Sequence, residues 1–247
     1  MQGYGSKSIY AVGGVAAPLI TSFSDDFNRP QTTYGFDSTQ YISGPQPSPI
    51  EATGMSVFLN NIQEAVFRAS SVATNMRRSF VFWPIPILPN VQGDQFAECV
   101  LGTTNSVTGV GIIVCGIFVL CGWQTAVPQY SEYAMMWQGP DGSATQNRWL
   151  LRRGELTAGS GFTETIIANG ATGSLVAGDT IRIEARPQVG QTDLDLFVNG
   201  TPVHSHSDVS AGRSRIGAPG FGRCQWVSGP APGNRDFSFA SFNCGIL

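Results

Sequence analysis

From Phe23 to Leu247 the chain alternates short apolar runs with clusters of Gly, Pro, Asn and Asp. That punctuation marks antiparallel strands joined by turns, as in a sandwich or jelly roll. The pattern predicts strands at Phe23–Phe27, Met55–Leu59, Ala65–Ala69, Ser79–Trp83, Gln95–Leu101, Gly111–Phe118, Tyr133–Gln138, Arg148–Arg153, Thr163–Ala168, Asp179–Ala185, Asp193–Val198, Pro202–Ser207, Arg215–Ala218 and Phe237–Phe242. No stretch longer than a turn or two repeats with helical period. Asn60–Ala73 has room for a short helix, while Ser56–Phe67 fits strands equally well. Pro84, Pro86 and Pro89 cannot donate to a ladder, so Pro84–Asn90 reads as a loop or an edge. Neither a linker nor an internal repeat divides the body. The organisation is one domain, 23–247, preceded by a small, Gly-rich arm, 1–22.

The strongest local signal is Asn199-Gly200, a two-residue turn of type I′ between Asp193–Val198 and Thr201–Ser207. Regular pairing from that turn sets Val198 opposite Thr201, Phe197 opposite Pro202, Leu196 opposite Val203, Asp195 opposite His204 and Asp193 opposite His206. In this register the Pro occupies a non-hydrogen-bonded position. It also brings Asp193, Asp195, His204 and His206 to one face, where they form either a candidate divalent-ion site or a ladder of cross-strand Asp–His pairs.

Composition changes the picture through charge. Charged residues are 13% of the 247-residue chain, about half the usual share. The chain has 14 Lys and Arg against 17 Asp and Glu, and Lys7 is the only lysine. A folded monomer of 26.3 kDa exposes on the order of 10,600 Å², so each charge serves about 340 Å². Interfaces favour Arg over Lys, and the expectation is that partner chains cover part of this surface. The alternative is a surface solvated by Ser, Thr, Asn and Gln. A net charge of −3 and a pI near 5.3 exclude a strongly basic nucleic-acid binder, and Arg77-Arg78 and Arg152-Arg153 are the only basic doublets.

Candidate chemistry is sparse. Cys99, Cys115, Cys121, Cys224 and Cys244 show no metal-binding spacing, and the simplest reading is a chain folded with reduced thiols; one disulfide remains compatible. The longest apolar run, Val110–Trp123, is shorter than the roughly 20 residues of a membrane span and reads as buried strand. Met1–Ile20 lacks the clean apolar stretch of a signal peptide. There is no G-x-S-x-G elbow. Gly13-Gly14 and Gly159-Ser160-Gly161 lack the Lys and the helix of a phosphate loop. No cofactor is implied.

The stretch Leu175-Val-Ala-Gly-Asp-Thr-Ile-Arg-Ile-Glu-Ala185, followed by Asp193-Leu-Asp-Leu-Phe-Val-Asn-Gly200 and Gly212-Arg213-Ser-Arg-Ile-Gly-Ala218, resembles the concanavalin A-like lectin/glucanase superfamily, in particular its laminin-G-like jelly rolls of bacterial and phage type. Ser24-Asp-Asp-Phe-Asn-Arg29 resembles the first strand of those domains, Gly93-Asp-Gln-Phe-Ala-Glu98 an early strand, and Asp236-Phe-Ser-Phe-Ala-Ser-Phe242 the closing strand, which pairs near the first. The resemblance spans about 23–242 and implies an all-β, two-sheet antiparallel jelly-roll sandwich behind an extended N-terminal arm.

The superfamily includes glucanases, lectins and structural modules, so fold does not fix function. Its glucanases carry alternating carboxylates of the E-x-D-x-E type. Here Asp193 and Asp195 alternate but Phe197 takes the third position. Lectins stack sugars on aromatic rings, which makes Trp123, Tyr130, Tyr133, Trp137 and Trp149 a candidate glycan groove; the competing role is as core anchors. The arm, with Tyr4 and Tyr10, and the Pro-rich loop Val81–Val91, with Val81, Phe82, Trp83, Ile85, Ile87 and Leu88, form a candidate assembly interface. Phages use such domains as capsid decorations, head fibres or tail adhesins. The resemblance therefore implies a non-enzymatic virion component, partnered by other virion proteins or copies of itself, with a possible cell-surface glycan ligand and no nucleic acid or membrane. A secreted or surface glycan-binding module is the alternative, and a divergent glycoside hydrolase the third reading.

Overall fold

A computed structural model describes residues 21–28, 41–43, 55–59, 62–69, 77–84, 93–103, 112–123, 130–138, 148–157, 161–171, 175–209, 217–227 and 235–247. They form fifteen strands: β1 (Ser22–Asp25), β2 (Tyr41–Ser43), β3 (Met55–Leu59), β4 (Ala65–Ala69), β5 (Arg77–Pro84), β6 (Gln95–Leu101), β7 (Ile112–Trp123), β8 (Tyr130–Gln138), β9 (Arg148–Thr157), β10 (Gly161–Ala171), β11 (Thr180–Gln188), β12 (Gln191–Val198), β13 (Thr201–Asp208), β14 (Ala218–Val227) and β15 (Arg235–Ile246). One sheet runs β13-β12-β11-β6-β15-β4-β3, with β1 also on β15; the other runs β10-β9-β8-β7-β14-β5-β2. Every pairing is antiparallel: the molecule is the expected jelly-roll sandwich. The closing strand β15 pairs with the first strand, Phe242 opposite Asp25.

Strand alternation explains the core, provided the bulges are counted. In β15, Phe237, Phe239, Phe242 and Cys244 are fully buried, a spacing of two, three and two. The step of three coincides with a register shift between Phe239 and Ser241, which returns the following alternation to the core. Phe221 of β14 meets this row from the opposite sheet, 4.8 Å from Phe242 and 6.3 Å from Phe239, while Trp137 of β8 lies 4.9 Å from Phe237. Burial of each such ring stabilises the fold by about 1.5–3 kcal/mol, and aromatic pairs add about 0.5–1.5.

The sequence pattern missed β2 and most of β14. The expected Arg215–Ala218 meets β14 only at Ala218, from which the strand continues to Val227; Arg215 and Ile216 lie outside the described residues. Pro219 and Gly222 of β14 read as breakers. Both lie at register shifts against β7, where a bulge absorbs the missing donor of one and the positive φ (115°) of the other. The segment around Ala65–Ala69 is strand and not helix, pairing β3 and β15. Val81, Phe82 and Trp83 are not loop residues: Phe82 is paired with Phe221 on one side and Ser43 on the other.

A buried glutamine links the sheets. Gln95, at the start of β6, has no exposed surface; its Nε2 donates to the carbonyl of Gly217, just before β14 (2.9 Å), and its Oε1 accepts from the amide of Leu120 in β7 (2.9 Å). The β7 irregularity between Val119 and Gly122 leaves the Leu120 amide free to turn inward, with φ at 50°. Gly217 passes so close that a Cβ there would sit 2.4 Å from the Leu120 carbonyl carbon. Gln95→Leu strands a buried donor and a buried acceptor. Urea denaturation should show a loss of about 3 kcal/mol with the sandwich otherwise intact.

Candidate functional site

The hairpin that bears most of the candidate chemistry begins as expected. Asn199 and Gly200 have φ of 50° and 71°, the doubly positive pair of a type I′ turn. Asn199 also reaches back to the entry of β11. Its Oδ1 accepts from the Thr180 amide (2.8 Å), its Nδ2 donates to Asp179 Oδ1 (2.9 Å), and Asp179 Oδ2 accepts from the Val176 amide (2.6 Å). Gly178, at φ 91°, donates its amide to the Leu101 carbonyl (2.9 Å). The Gly178-Asp179 and Asn199-Gly200 dipeptides that carry the family resemblance are thus two halves of one staple and do structural work.

Beyond the turn the register departs from expectation. Val198 faces Thr201 and Phe197 faces Pro202, but the ladder then shifts by one residue at Val203. His204 lies opposite Leu196 and His206 opposite Leu194, while Asp195 pairs with Ser205 and Asp193 with Ser207. Directly opposed residues share a face, and Leu194 and Leu196 are buried, so the histidines turn into the sandwich and the aspartates outward. The expected Asp–His quartet is therefore split between two faces. Among the described residues no three His, Cys, Asp or Glu side chains are placed to hold a metal.

The inward face forms a polar seam against the second sheet. His204 stacks on Trp149, 5.2 Å between centroids, and His206 stacks on His204 at 6.3 Å. Asp208 is buried and accepts from Tyr133 Oη and Arg153 Nη1, both at 2.8 Å, while Arg153 lies 3.4 Å from Glu155. Tyr133, Trp137 and Trp149 are buried here, at 2%, 2% and 5% exposure, so they anchor the core and line no glycan groove. The side chains of Trp123 and Tyr130, and residues Tyr4, Tyr10, Ile85, Ile87 and Leu88, lie outside the described residues. Arg152 is buried and paired with Glu164 at 3.3 Å, which removes the second basic doublet from the surface. Burial pushes the Cys99 and Cys244 thiols up, so neither is a ready nucleophile.

The outward face of β11–β13 holds the polar site that sequence reasoning missed. Glu98 lies 3.5 Å from Arg182, Arg182 2.8 Å from Glu184, and Arg186 bridges Glu184 to Asp195, the last contact at 2.5 Å. Arg182 also lies 3.9 Å above the Phe96 ring. Ser205 Oγ donates to Asp195 (2.6 Å), and Ser207, Gln188 and Gln191 donate to Asp193 (2.6, 2.7 and 2.9 Å). Arg186, Asp193, Asp195, Ser205 and Ser207 contribute to an open pocket of about 450 Å³, to which His206 also contributes. Its chemistry is hydrogen bonding: carboxylate acceptors interleaved with hydroxyl, amide and guanidinium donors. The signal available beforehand was the i, i+2 alternation of Arg182, Glu184 and Arg186 on the strand beside Asp193 and Asp195.

The fold is shared with enzymes of polysaccharide breakdown. The chain is similar to an endo-1,3-beta-glucanase from Streptomyces sioyaensis (12% identity, 95% of this chain and 100% of that one, TM-score 0.56). It is also similar to a kappa-carrageenase from Pseudoalteromonas carrageenovora (9% identity, 96% and 99%, TM-score 0.52) and a Bacteroides ovatus glycoside hydrolase of family 16 (12% identity, 90% and 99%, TM-score 0.51). No protein-family model matches the chain and no curated protein matches it. At these identities the likeness is one of fold alone, a two-sheet antiparallel sandwich as expected.

Desolvation, and then the neighbouring His206, hold the His204 imidazole below its usual 6.5. Protonation therefore favours the unfolded chain: stability is insensitive to this group above pH 6.5 and falls as pH drops from there through the lower folded-state value. Urea midpoints compared at about pH 7.5 and about pH 5 should fall more for the native chain than for His204→Phe.

Proposed function

We propose that this chain is a non-enzymatic structural and interaction protein of a larger assembly, with a bacteriophage virion as its setting and the jelly roll as its presented module. One observation carries the reading. Asp25, Glu64, Glu132, Arg152, Glu155, Glu184 and Asp208 are all buried within the chain itself. Even before these seven are set aside, the 31 Lys, Arg, Asp and Glu side chains serve 12,018 Å², about one per 390 Å², sparser still than composition suggested. An exterior so poor in charge is suited to contact with other chains.

The outward pocket favours saccharide as a second ligand, and with it the alternative of a secreted or surface glycan-binding module. Its carboxylates are oriented by Ser and Gln donors and by Arg186, an arrangement that exchanges hydrogen bonds with vicinal hydroxyls. Hydrolysis is the third reading: the solved structures of similar fold act on glucans and carrageenan, but this sequence has no strand with three alternating carboxylates.

Light scattering on the purified full chain separates these readings. Defined oligomers, and failure of a chain lacking Met1–Ile20 to enter particles, are the expected results. A monomer retained on immobilised saccharide, with retention lost in Asp195→Ala, makes the module reading correct. Reducing-sugar release from a β-glucan overturns the non-enzymatic reading.

A further inference from the structure

We propose that β10 is a seam through which two copies of this chain join edge to edge about a two-fold axis, continuing the β10-β9-β8-β7-β14-β5-β2 sheet from one copy into the next. The inference rests on the assembly reading and names a partner for it.

Free strand edges invite pairing unless they are short, broken or charged. Among the described residues, the other sheet edges are blunted. β1 has four residues, β2 three and β3 five. β13 carries Pro202 and the Val203 register shift, and its His and Asp side chains turn inward. β10 is the longest of these edges, and it too carries a register shift, against β9 at Ile167. It runs for eleven residues without a proline, and among the described residues it pairs only with β9. Thr163, Thr165, Ile166, Asn169 and Ala171 are exposed along it, with Ile166 at 54%. Its one ionisable side chain, Glu164, is paired with Arg152 of β9 at 3.3 Å and guards the edge poorly.

The occupant follows from charge and symmetry. An antiparallel edge is self-complementary under a two-fold, so a second copy needs no new surface. A two-fold at Glu164 would oppose two carboxylates. A two-fold at Ile166 sets the exposed isoleucines side by side and separates the two Glu164–Arg152 pairs. Each copy then offers the outward N–H and C=O groups of about half its eleven edge residues.

The test is sedimentation of the full chain across the micromolar range. The native chain should dimerise, Ile166→Lys should weaken dimerisation by about ten-fold or more with an unchanged thermal midpoint, and mixing Ile166→Lys with Ile166→Glu should restore it. A native oligomer that Ile166→Lys leaves intact overturns the seam and leaves the assembly reading standing. A native chain that stays monomeric throughout overturns the seam as well. Should the lysine variant not fold, amide exchange of the native chain decides. Protection of β10 amides that rises with concentration supports the seam; protection independent of concentration overturns it.

Discussion

A β-strand has a side-chain period of two, and in a two-layer sandwich that period decides whether a residue meets the core or the outside. One extra residue reverses the assignment for everything that follows. This chain uses the device repeatedly. The shift in β15 keeps Phe242 and Cys244 inside with Phe237 and Phe239. The irregularity in β7 turns the Leu120 amide toward Gln95. The shift at Val203 sends two histidines inward and leaves two aspartates outside. The inter-sheet link, the aromatic core and the separation of polar faces all depend on where these single residues fall.

The same constraint sets what was legible in the sequence. Alternation and turn residues located strands such as Met55–Leu59, Ala65–Ala69 and Gln95–Leu101 at their observed limits, because pleat period and turn chemistry are local properties. The Asn199-Gly200 turn was legible for the same reason. Face assignment beyond that turn was not. Pro202 satisfied the regular register, and nothing in Thr201–Asp208 marked Val203 as the added residue. The expectation that Asp193, Asp195, His204 and His206 share one face was the product of that single missed shift. The aromatic residues failed differently: Tyr133, Trp137 and Trp149 alternate correctly on their strands, but alternation alone does not tell an inner face from an outer one when both flank polar residues.

Charge is distributed by the same logic. The interior admits charged groups only with partners, and they are present: Asp208 sits with Tyr133 and Arg153 across the two sheets, and Glu64 accepts from Thr103 and Ser238 within one of them. These groups are drawn from a chain already poor in charge. Each buried carboxylate that specifies the packing of strand ends is one fewer to keep the exterior wet. Internal polar order and external sparseness are therefore one allocation, and the sparse exterior follows from it.

The family-like dipeptides show how fold and function part company in this molecule. Gly178-Asp179 and Asn199-Gly200 carry the resemblance, and polar and flexible residues cluster in them. Their atoms are consumed by each other and by the Val176, Thr180 and Leu101 backbone, which fixes the ends of β6, β11 and β12 together. In this sandwich the staple joins three strand ends at one corner, a structural role independent of what the surface binds. The residues free to specialise are those with outward faces and open edges. These are the carboxylate, guanidinium and hydroxyl groups of β11–β13 and the exposed side of β10, where substitution changes what the surface meets and leaves the corner intact.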